Sequence, residues 1–159
     1  MIDYEKIVNE IERPPLSIDK MALKYNQLKK FLLDDKVNDV LKIMNENSFT
    51  QVPIIDDKGI LQGVFSENTL ASYLANNDLI IDKENSILKD FEEYLDIEKH
   101  IGEYYIFVPR DKNVYDIIDL FYKKIFLNNK YLSGIFITEN GKKNRTTPWF
   151  NYALGCISL

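Results

Sequence analysis

The sequence predicts an α+β protein built from two copies of a β-α-β-β-α unit. The segment VNDVLKIMNENSFTQVPIIDDKGILQGVFS, which begins at Val37, returns in weaker form from Val114 as VYDIIDLFYKKIFLNNKYLSGIFITENGK. Both copies open with apolar residues at helical spacing and continue with a short apolar run of strand length that ends in a glycine turn. We expect the two half-size units to pack on each other.

The first copy carries the clearer pattern. Val37, Val40, Leu41 and Met44 recur at helical spacing, with Asp39 on the opposite face. Gly59 lies in the turn that follows the first apolar run, where glycine is favoured. The predicted elements are strand 28–33, helix 37–46, strand 51–56, tight turn 57–59, strand 60–65 and helix 67–76.

The second copy repeats this order with one insertion. It opens with Tyr104 to Val108, a dense run of aromatic and β-branched residues typical of a strand. Its helix is predicted from Val114 to Phe121, and its next strand from Gly134 to Ile137. The inserted residues 128–130 stand between that helix and strand, where added loop residues cost little.

The flanking segments complete a division of the chain into four parts. Ile2, Ile7 and Ile11 predict an amphipathic helix that Pro14 and Pro15 end. The predicted parts are an N-terminal helical segment at 1–27, a first repeat at 28–76, a connecting helix and linker at 77–99, and a second repeat at 100–159, of which 144–159 form an atypical tail.

Composition restricts the class of protein. With 159 residues and 45% hydrophobic content, the chain can bury one core but not two large ones. A net charge of -5 without a dense Lys/Arg stretch argues against a nucleic-acid partner. No apolar run is long enough for a membrane span, and the charged start does not resemble a signal peptide, so we expect a cytoplasmic protein. The single cysteine, Cys156, excludes an internal disulfide.

The residues give no indication of catalysis or of a metal site. His100 is the only histidine and has no companion at metal-ligand spacing, so we expect an ordinary surface histidine. The carboxylate pairs are adjacent in sequence rather than facing each other, and the glycines fit neither a P-loop nor a dinucleotide fingerprint. The sequence therefore predicts a protein that is not an enzyme and holds no cofactor.

Two phrases carry a resemblance to a known family. SFTQVPIIDDKGILQGVFSENTL in the first copy, and FVPRDKNVYDIIDLF followed by GIFITENGK in the second, resemble a pair of CBS domains over roughly residues 28 to 143. The resemblance implies a regulatory module with two repeats related by a pseudo-twofold axis. It also implies clefts that often bind adenosine-containing ligands, and frequent dimerisation.

The resemblance also implies a ligand site in the first repeat. In the family, a hydroxyl at a helix N-terminus contacts phosphate, where backbone N–H groups and the helix dipole favour an anion. The matching positions are Phe49, Thr50, Gln51 and Pro53 around a base, Ser66 as the hydroxyl, and Thr69 in the place of a ribose-chelating aspartate. A threonine cannot chelate a diol as a carboxylate does, so this half-site departs from ribose recognition. Ser66 is also a good N-cap, and simple capping is the favoured interpretation.

The second repeat matches the family less well. By the same resemblance, Tyr105, Phe107 and Val108 would line a cleft, and Tyr131 and Ser133 would lie near a base. After Gly141 the family usually continues to a Gly-Ile-Ile-Thr strand, a Trp-Asp pair and a closing helix, whereas this chain reads KKNRTTPWFNYALGCISL.

Two explanations of this tail compete. Leu154 to Ser158 could be the third strand, without its helix. Alternatively, a reading-frame slip near Asn144 is favoured, because codons read one nucleotide later permit TEQPLGLITRWD, the missing ending. In either case no aspartate follows Ser158. The lost helix should uncover parts of Ile106, Val108 and Ile135, and we expect Trp149, Phe150 and Tyr152 to pack near them.

Two functions remain open. The first is a regulatory module that senses a small molecule, such as an adenine nucleotide, in the cleft between the repeats, and that forms a homodimer. The second is a structural or dimerisation module with a degenerate site and no small ligand. Much of the first function rests on analogy of fold.

Overall fold

A computed structural model describes residues 5, 16–18, 29–77, 81–82, 84–123, 126–143 and 156–157. The chain is a mixed α+β structure in which a strand hairpin with two helices is followed by a second sheet with one helix. The α+β prediction is therefore confirmed.

The first repeat forms one continuous unit. Its elements are helix α1 (Val37–Asn47), strands β1 (Gln51–Ile55) and β2 (Leu61–Ser66), and helix α2 (Glu67–Asn76). The two strands pair antiparallel, and Gly59 takes the positive φ of 77° that their turn requires. Val37, Val40 and Met44 of α1 are buried, so the helical pattern in the sequence marks the side of α1 that faces the core.

The strand predicted over residues 28–33 differs from the structure. Phe31 makes a single parallel bridge with Ile54, and residue 28 lies outside the described residues. Directly afterwards the Leu32 N–H donates to Asp35 Oδ2 at 2.8 Å, and the Asp35 N–H donates to the Leu32 carbonyl at 3.1 Å. This turn ends the extended segment after Phe31, because an Asp side chain competes well for nearby backbone donors.

A short helical connection packs against β2. It consists of a 3₁₀ turn (Leu88–Phe91) and helix α3 (Glu92–Leu95), which agrees with the connecting helix predicted there. A Cβ atom built on Gly63 of β2 would clash with the backbone carbonyl of Leu95. Glycine at this position therefore permits the close approach of α3 to the strand.

The second repeat is a four-stranded sheet with one helix in the described residues. Its elements are β3 (Glu103–Pro109), α4 (Val114–Lys123), β4 (Phe126–Leu127), β5 (Lys130–Thr138) and β6 (Cys156–Ile157). Strand β5 pairs parallel with β3 and antiparallel with β4 and β6. The insertion predicted at 128–130 joins β4 to β5, where Asn128 and Asn129 both have positive φ, typical of a two-residue hairpin turn.

The tail contributes a strand. Ile157 pairs with Ile135 and Cys156 with Phe136, as the third-strand explanation expects. Residues 144–155 lie outside the described part, so the predicted packing of Trp149, Phe150 and Tyr152 stays a prediction. The structure does not test the reading-frame hypothesis.

Three apolar clusters form the core of the described residues. One lies inside the first repeat, between α1, its hairpin and the connection. A second lies inside the second repeat, and a third joins β2 and Ile97 to Phe136, with Phe107 packed against it. The third cluster is the interface between the repeats, and it makes the two halves one folded unit.

The prediction that apolar residues of the second sheet are uncovered is wrong. Val108 and Ile135 are buried, and Ile106 is half-buried. Ile18 and Leu16, together with Val114 and Ile117 at the start of α4, pack in the same cluster. Residues from before the first repeat thus cover apolar surface that the sequence analysis left open.

Candidate ligand-binding site

Ser66 lies at the junction between β2 and α2 and is fully buried. Its Oγ accepts the Thr69 N–H at 3.1 Å, and Thr69 Oγ1 accepts the Ser66 N–H at 3.0 Å. This reciprocal pair is a capping box, which satisfies two backbone donors at the helix start. The capping interpretation of Ser66 is confirmed, and Thr69 has a structural reason to stand where an aspartate was expected.

A carboxylate from the second repeat occupies the space in front of this helix. Glu103, the first residue of β3, is 9% exposed. Ser66 Oγ donates to Glu103 Oε2 at 2.8 Å, and Asn68 Nδ2 donates to Glu103 Oε1 at 2.9 Å. The N-terminus of α2, which favours an anion through its dipole, therefore faces an anion of the chain itself.

His100 completes the surroundings of this carboxylate. Its Nδ1 lies 2.9 Å from Glu103 Oε2, and its Nε2 lies 3.3 Å from the Leu95 carbonyl oxygen. When both ring nitrogens carry a proton, the ring donates to both acceptors and forms an ion pair with Glu103. His100 is 5% exposed, so the prediction of a surface histidine is wrong.

The electrostatics of Glu103 result from opposing effects. Burial by itself raises the pKa of a carboxyl group, since the charged form loses hydration. The hydrogen bonds from His100, Ser66 and Asn68, together with the charge of His100, outweigh burial and hold the pKa of Glu103 below its ordinary value. Glu103 is accordingly a charged group in the folded protein at neutral pH.

Gln51 of β1 forms a second link between the repeats. Its Nε2 donates to the Ser133 carbonyl oxygen at 2.6 Å, and its Oε1 lies 2.8 Å from the Tyr105 hydroxyl. That hydroxyl also lies 3.2 Å from Glu103 Oε2, so its one proton serves two acceptors. The β3–β5 register skips Ser133, and such a bulge leaves a backbone group available for another partner.

These residues account for most of the buried polarity that the structure describes. Five polar or charged residues of the described part are buried, and Ser66, Thr69, His100 and Glu103 are four of them. Buried polar groups cost stability unless they are hydrogen-bonded, and these four are bonded to one another. We call Gln51, Ser66, Asn68, Thr69, His100, Glu103, Tyr105 and Ser133 the inter-repeat polar cluster.

The other predicted site residues do not join this cluster. Phe49 packs against the core of the first repeat, and Thr50 and Tyr131 are exposed. The carbonyl oxygen of Pro53 accepts the Phe31 N–H at 3.2 Å, and Phe107 stacks on Phe136 at 5.3 Å. Val108 points to the opposite face of β3 from Phe107, into the second core. The predicted half-sites thus remain proposals, with five of their residues, Gln51, Ser66, Thr69, Tyr105 and Ser133, in the cluster.

The sequence analysis missed Glu103 and Asn68. A signal for Glu103 was present, because residues 103, 105 and 107 of a strand share one face. Tyr105 and Phe107 both pack against the inter-repeat apolar cluster. A charged residue on that face at the start of the strand was therefore a candidate for a buried contact with the first repeat.

Two cavities lie close to these elements. One of about 170 Å³ is lined by residues that include Asn68, Thr69 and His100 of the polar cluster, together with Lys99. Another, of about 430 Å³, follows the face of β3 that carries Tyr104, Ile106 and Val108.

No group of His, Cys, Asp and Glu in the part of the chain that the structure describes could hold a metal ion. No helix among the described residues is long and apolar enough to cross a membrane.

The described residues thus form two repeats joined by an apolar cluster and a polar cluster. Comparison with known proteins identifies the repeat: residues 27–76 match the family model of the CBS domain. The first repeat is a CBS domain, and the chain has the fold of CBS-domain proteins. No curated protein matches the chain.

Several solved structures share the fold across nearly the whole chain. The structure of CbpB in complex with c-di-AMP has a TM-score of 0.58 at 15% identity, covering 97% of this chain and 87% of its own. That of CBSX2 in complex with AMP has a TM-score of 0.54 at 17% identity, covering 89% of each chain. A CBS domain protein from Streptococcus pneumoniae TIGR4 has a TM-score of 0.53 at 10% identity, covering 88% of this chain and 76% of its own. At these identities the likeness concerns the fold.

Proposed function

We propose that this protein is a regulatory module that binds a small ligand, of the adenine-nucleotide class, in the cleft between its two repeats. The observation that carries this proposal is the meeting of candidate residues from both repeats: Gln51 of β1 contacts Ser133 of β5 and Tyr105 of β3. A ligand bound at this point would touch both repeats. The complexes of CbpB with c-di-AMP and of CBSX2 with AMP support the ligand class.

Regulation would follow from a change in how the repeats pack. The interface combines the apolar cluster around Phe136 with the polar cluster at Glu103. A ligand that binds one arrangement of these contacts better than another shifts the population toward it. In this proposal the protein acts by binding rather than by turnover, as a homodimer in the cytoplasm, with repeats bounded at 28–76 and 100–159 and a linker at 77–99 between them.

Thermal unfolding of the full chain tests the proposal. AMP, ADP, ATP and c-di-AMP are each titrated, and at least one should give a saturable rise in Tm, because a ligand that binds only the folded state stabilises it. Gln51→Ala should weaken that response, while Gln62→Ala should not, since Gln62 is exposed on β2 and bonds to Asp56. No shift at millimolar ligand would contradict the proposal, and turnover of a nucleotide would contradict binding without catalysis.

One observation favours a second candidate function, that of a scaffold without a small ligand. The polar cluster is already hydrogen-bonded across the repeats, and Thr69 is engaged in a capping box rather than free to bind a diol. Sedimentation velocity over a concentration series would reveal a dimer. A dimer whose stability responds to none of the nucleotides would support the scaffold.

A further inference from the structure

We infer that Glu103 is an autoinhibitory residue: its carboxylate occupies the anion position at the start of α2, so that an anionic ligand and the contact between Glu103 and Ser66 exclude each other. The inference rests on the proposed function only for the identity of the natural anion. In this contact Ser66 Oγ lies 2.8 Å from Glu103 Oε2, and Asn68 Nδ2 lies 2.9 Å from Glu103 Oε1.

The donors around Glu103 come from both repeats and suit an oxyanion in general. Ser66 and Asn68 approach from the first repeat, and His100 from the second, while Tyr105 divides its proton between Glu103 and Gln51. None of these donors is specific to a carboxylate. Hydroxyl, amide and imidazole N–H groups can donate to phosphate oxygens as they do to a carboxylate, because both anions accept charge-assisted hydrogen bonds.

Charge makes the two occupants mutually exclusive. The Ser66 hydroxyl has a single proton, which it donates to Glu103 Oε2. A phosphate beside the ionised carboxylate would lack this donor and would be repelled in a poorly solvated position. An anion can therefore bind to Ser66 and Asn68 only when the Glu103 side chain is withdrawn, neutralised or removed.

The cavity beside the polar cluster provides access for a small anion. Asn68, Thr69 and His100 line it, and its volume is about 170 Å³. Pockets for larger organic ligands have volumes of about 300 Å³ or more. This volume suffices for a free phosphate but is too small for a nucleotide, and Lys99 and Glu93 line the same cavity.

The test removes the carboxylate and supplies an anion from solution. Full-length Glu103→Ala is titrated with inorganic phosphate and, separately, with acetate, at ionic strength held constant with chloride, and thermal unfolding is followed. We expect saturable stabilisation of Glu103→Ala, with an affinity about tenfold or more above that of the unsubstituted protein, since the internal competitor is gone.

Glu67→Ala is the matched control. Glu67 is an exposed acidic residue in the first turn of the same helix, so its removal changes the local charge equally without opening the contact to Ser66. A response of Glu103→Ala no larger than that of Glu67→Ala overturns the inference. Should Glu103→Ala not fold, Glu103→Ser, which also vacates the position in front of Ser66, is measured in the same way. A phosphate response of Glu103→Ser no larger than that of Glu67→Ala also overturns it.

This result is independent of the nucleotide experiment. Phosphate and acetate contain no nucleoside. Stabilisation of Glu103→Ala by these anions therefore supports the role of Glu103 as an internal competitor even where no nucleotide binds. Conversely, a nucleotide that binds the unsubstituted protein does not rescue the inference when Glu103→Ala gains no affinity for phosphate.

Discussion

The two repeats differ in their sheets, with two strands in the first and four in the second, and they contribute different chemistry to their interface. In the first repeat, β2 runs directly into α2 and presents the neutral donors Ser66 and Asn68. In the second, β3 begins with Glu103 close to His100, and these contribute the ionisable groups. The polar contacts between the repeats thus combine neutral donors from the first repeat with ionisable groups from the second.

The apolar packing differs between the repeats as well. The first repeat covers its hairpin with α1 and with the connection around Leu88 and Phe91. The second uses α4 and Ile18, which lies before the first repeat in the chain. Three predictions sharpen this comparison, in order of decreasing effect.

The largest effect is expected for Phe65→Ala. Phe65 is fully buried in the first core and meets Phe91 edge-to-face at 5.6 Å. Truncating such an aromatic residue leaves a cavity and should lower the free energy of unfolding by about 3–5 kcal/mol, measured by urea denaturation. Leu74→Ala, at a position 49% exposed, is the control. A loss for Phe65→Ala as small as that of the control would show that the first core is not as described.

A smaller effect is expected for Gly63→Ala. A Cβ at this position meets the Leu95 backbone, which cannot turn aside as a side chain can, so we expect a loss of about 1–3 kcal/mol. Gly134→Ala in the second repeat is the matched variant, because its Cβ would lie 3.0 Å from the Tyr105 ring and 3.2 Å from Gln51 Nε2. Those side chains can shift, so Gly134→Ala should cost less. A larger loss in the free energy of unfolding for Gly134→Ala than for Gly63→Ala, measured by urea denaturation, would contradict this difference between the two glycine positions.

The smallest effect is expected in the pH dependence of stability. The folded-state pKa of Glu103 lies below its ordinary value of 4.5, so its stabilising contribution is complete above that value. The contribution is lost as pH falls through the lower folded pKa. As pH falls below 4.5, the free energy of unfolding should therefore decrease more steeply for the unsubstituted protein than for Glu103→Gln.

An exposed carboxylate provides the control for this measurement. Glu98 is 62% exposed and pairs with Lys143 at 3.5 Å. His100 faces Glu103, and Lys99 and Glu93 line the adjacent cavity, so other charges near Glu103 also affect the pH dependence of stability. Glu98→Gln removes one negative charge at an exposed position, and its pH profile shows the effect of that change in net charge alone. Parallel curves for Glu103→Gln and the unsubstituted protein would contradict a role for the Glu103 carboxylate in acid stability.

Sequence reasoning succeeded where local signals were strong. Helix α2 occupies the predicted residues 67–76, and α1 extends one residue beyond the predicted 37–46. Ser66 was recognised as an N-cap because serine before a helix satisfies a free backbone donor. It failed at His100, because its partner Glu103 is close in sequence but nothing local shows that the pair is buried against Ser66 of the first repeat. It also failed at 28–33, where the Asp35 side chain turns the chain early.

By itself, the sequence determined the duplicated pattern and most of the regular elements, because helix and strand periods and glycine turns are written in neighbouring residues. Only the tertiary structure decided that Glu103 meets Ser66, 37 positions away, and that Ile18 reaches the core of the second repeat. Contacts of this kind depend on how the two folded halves dock, and no local pattern specifies the distance and angle at which two side chains from different repeats meet.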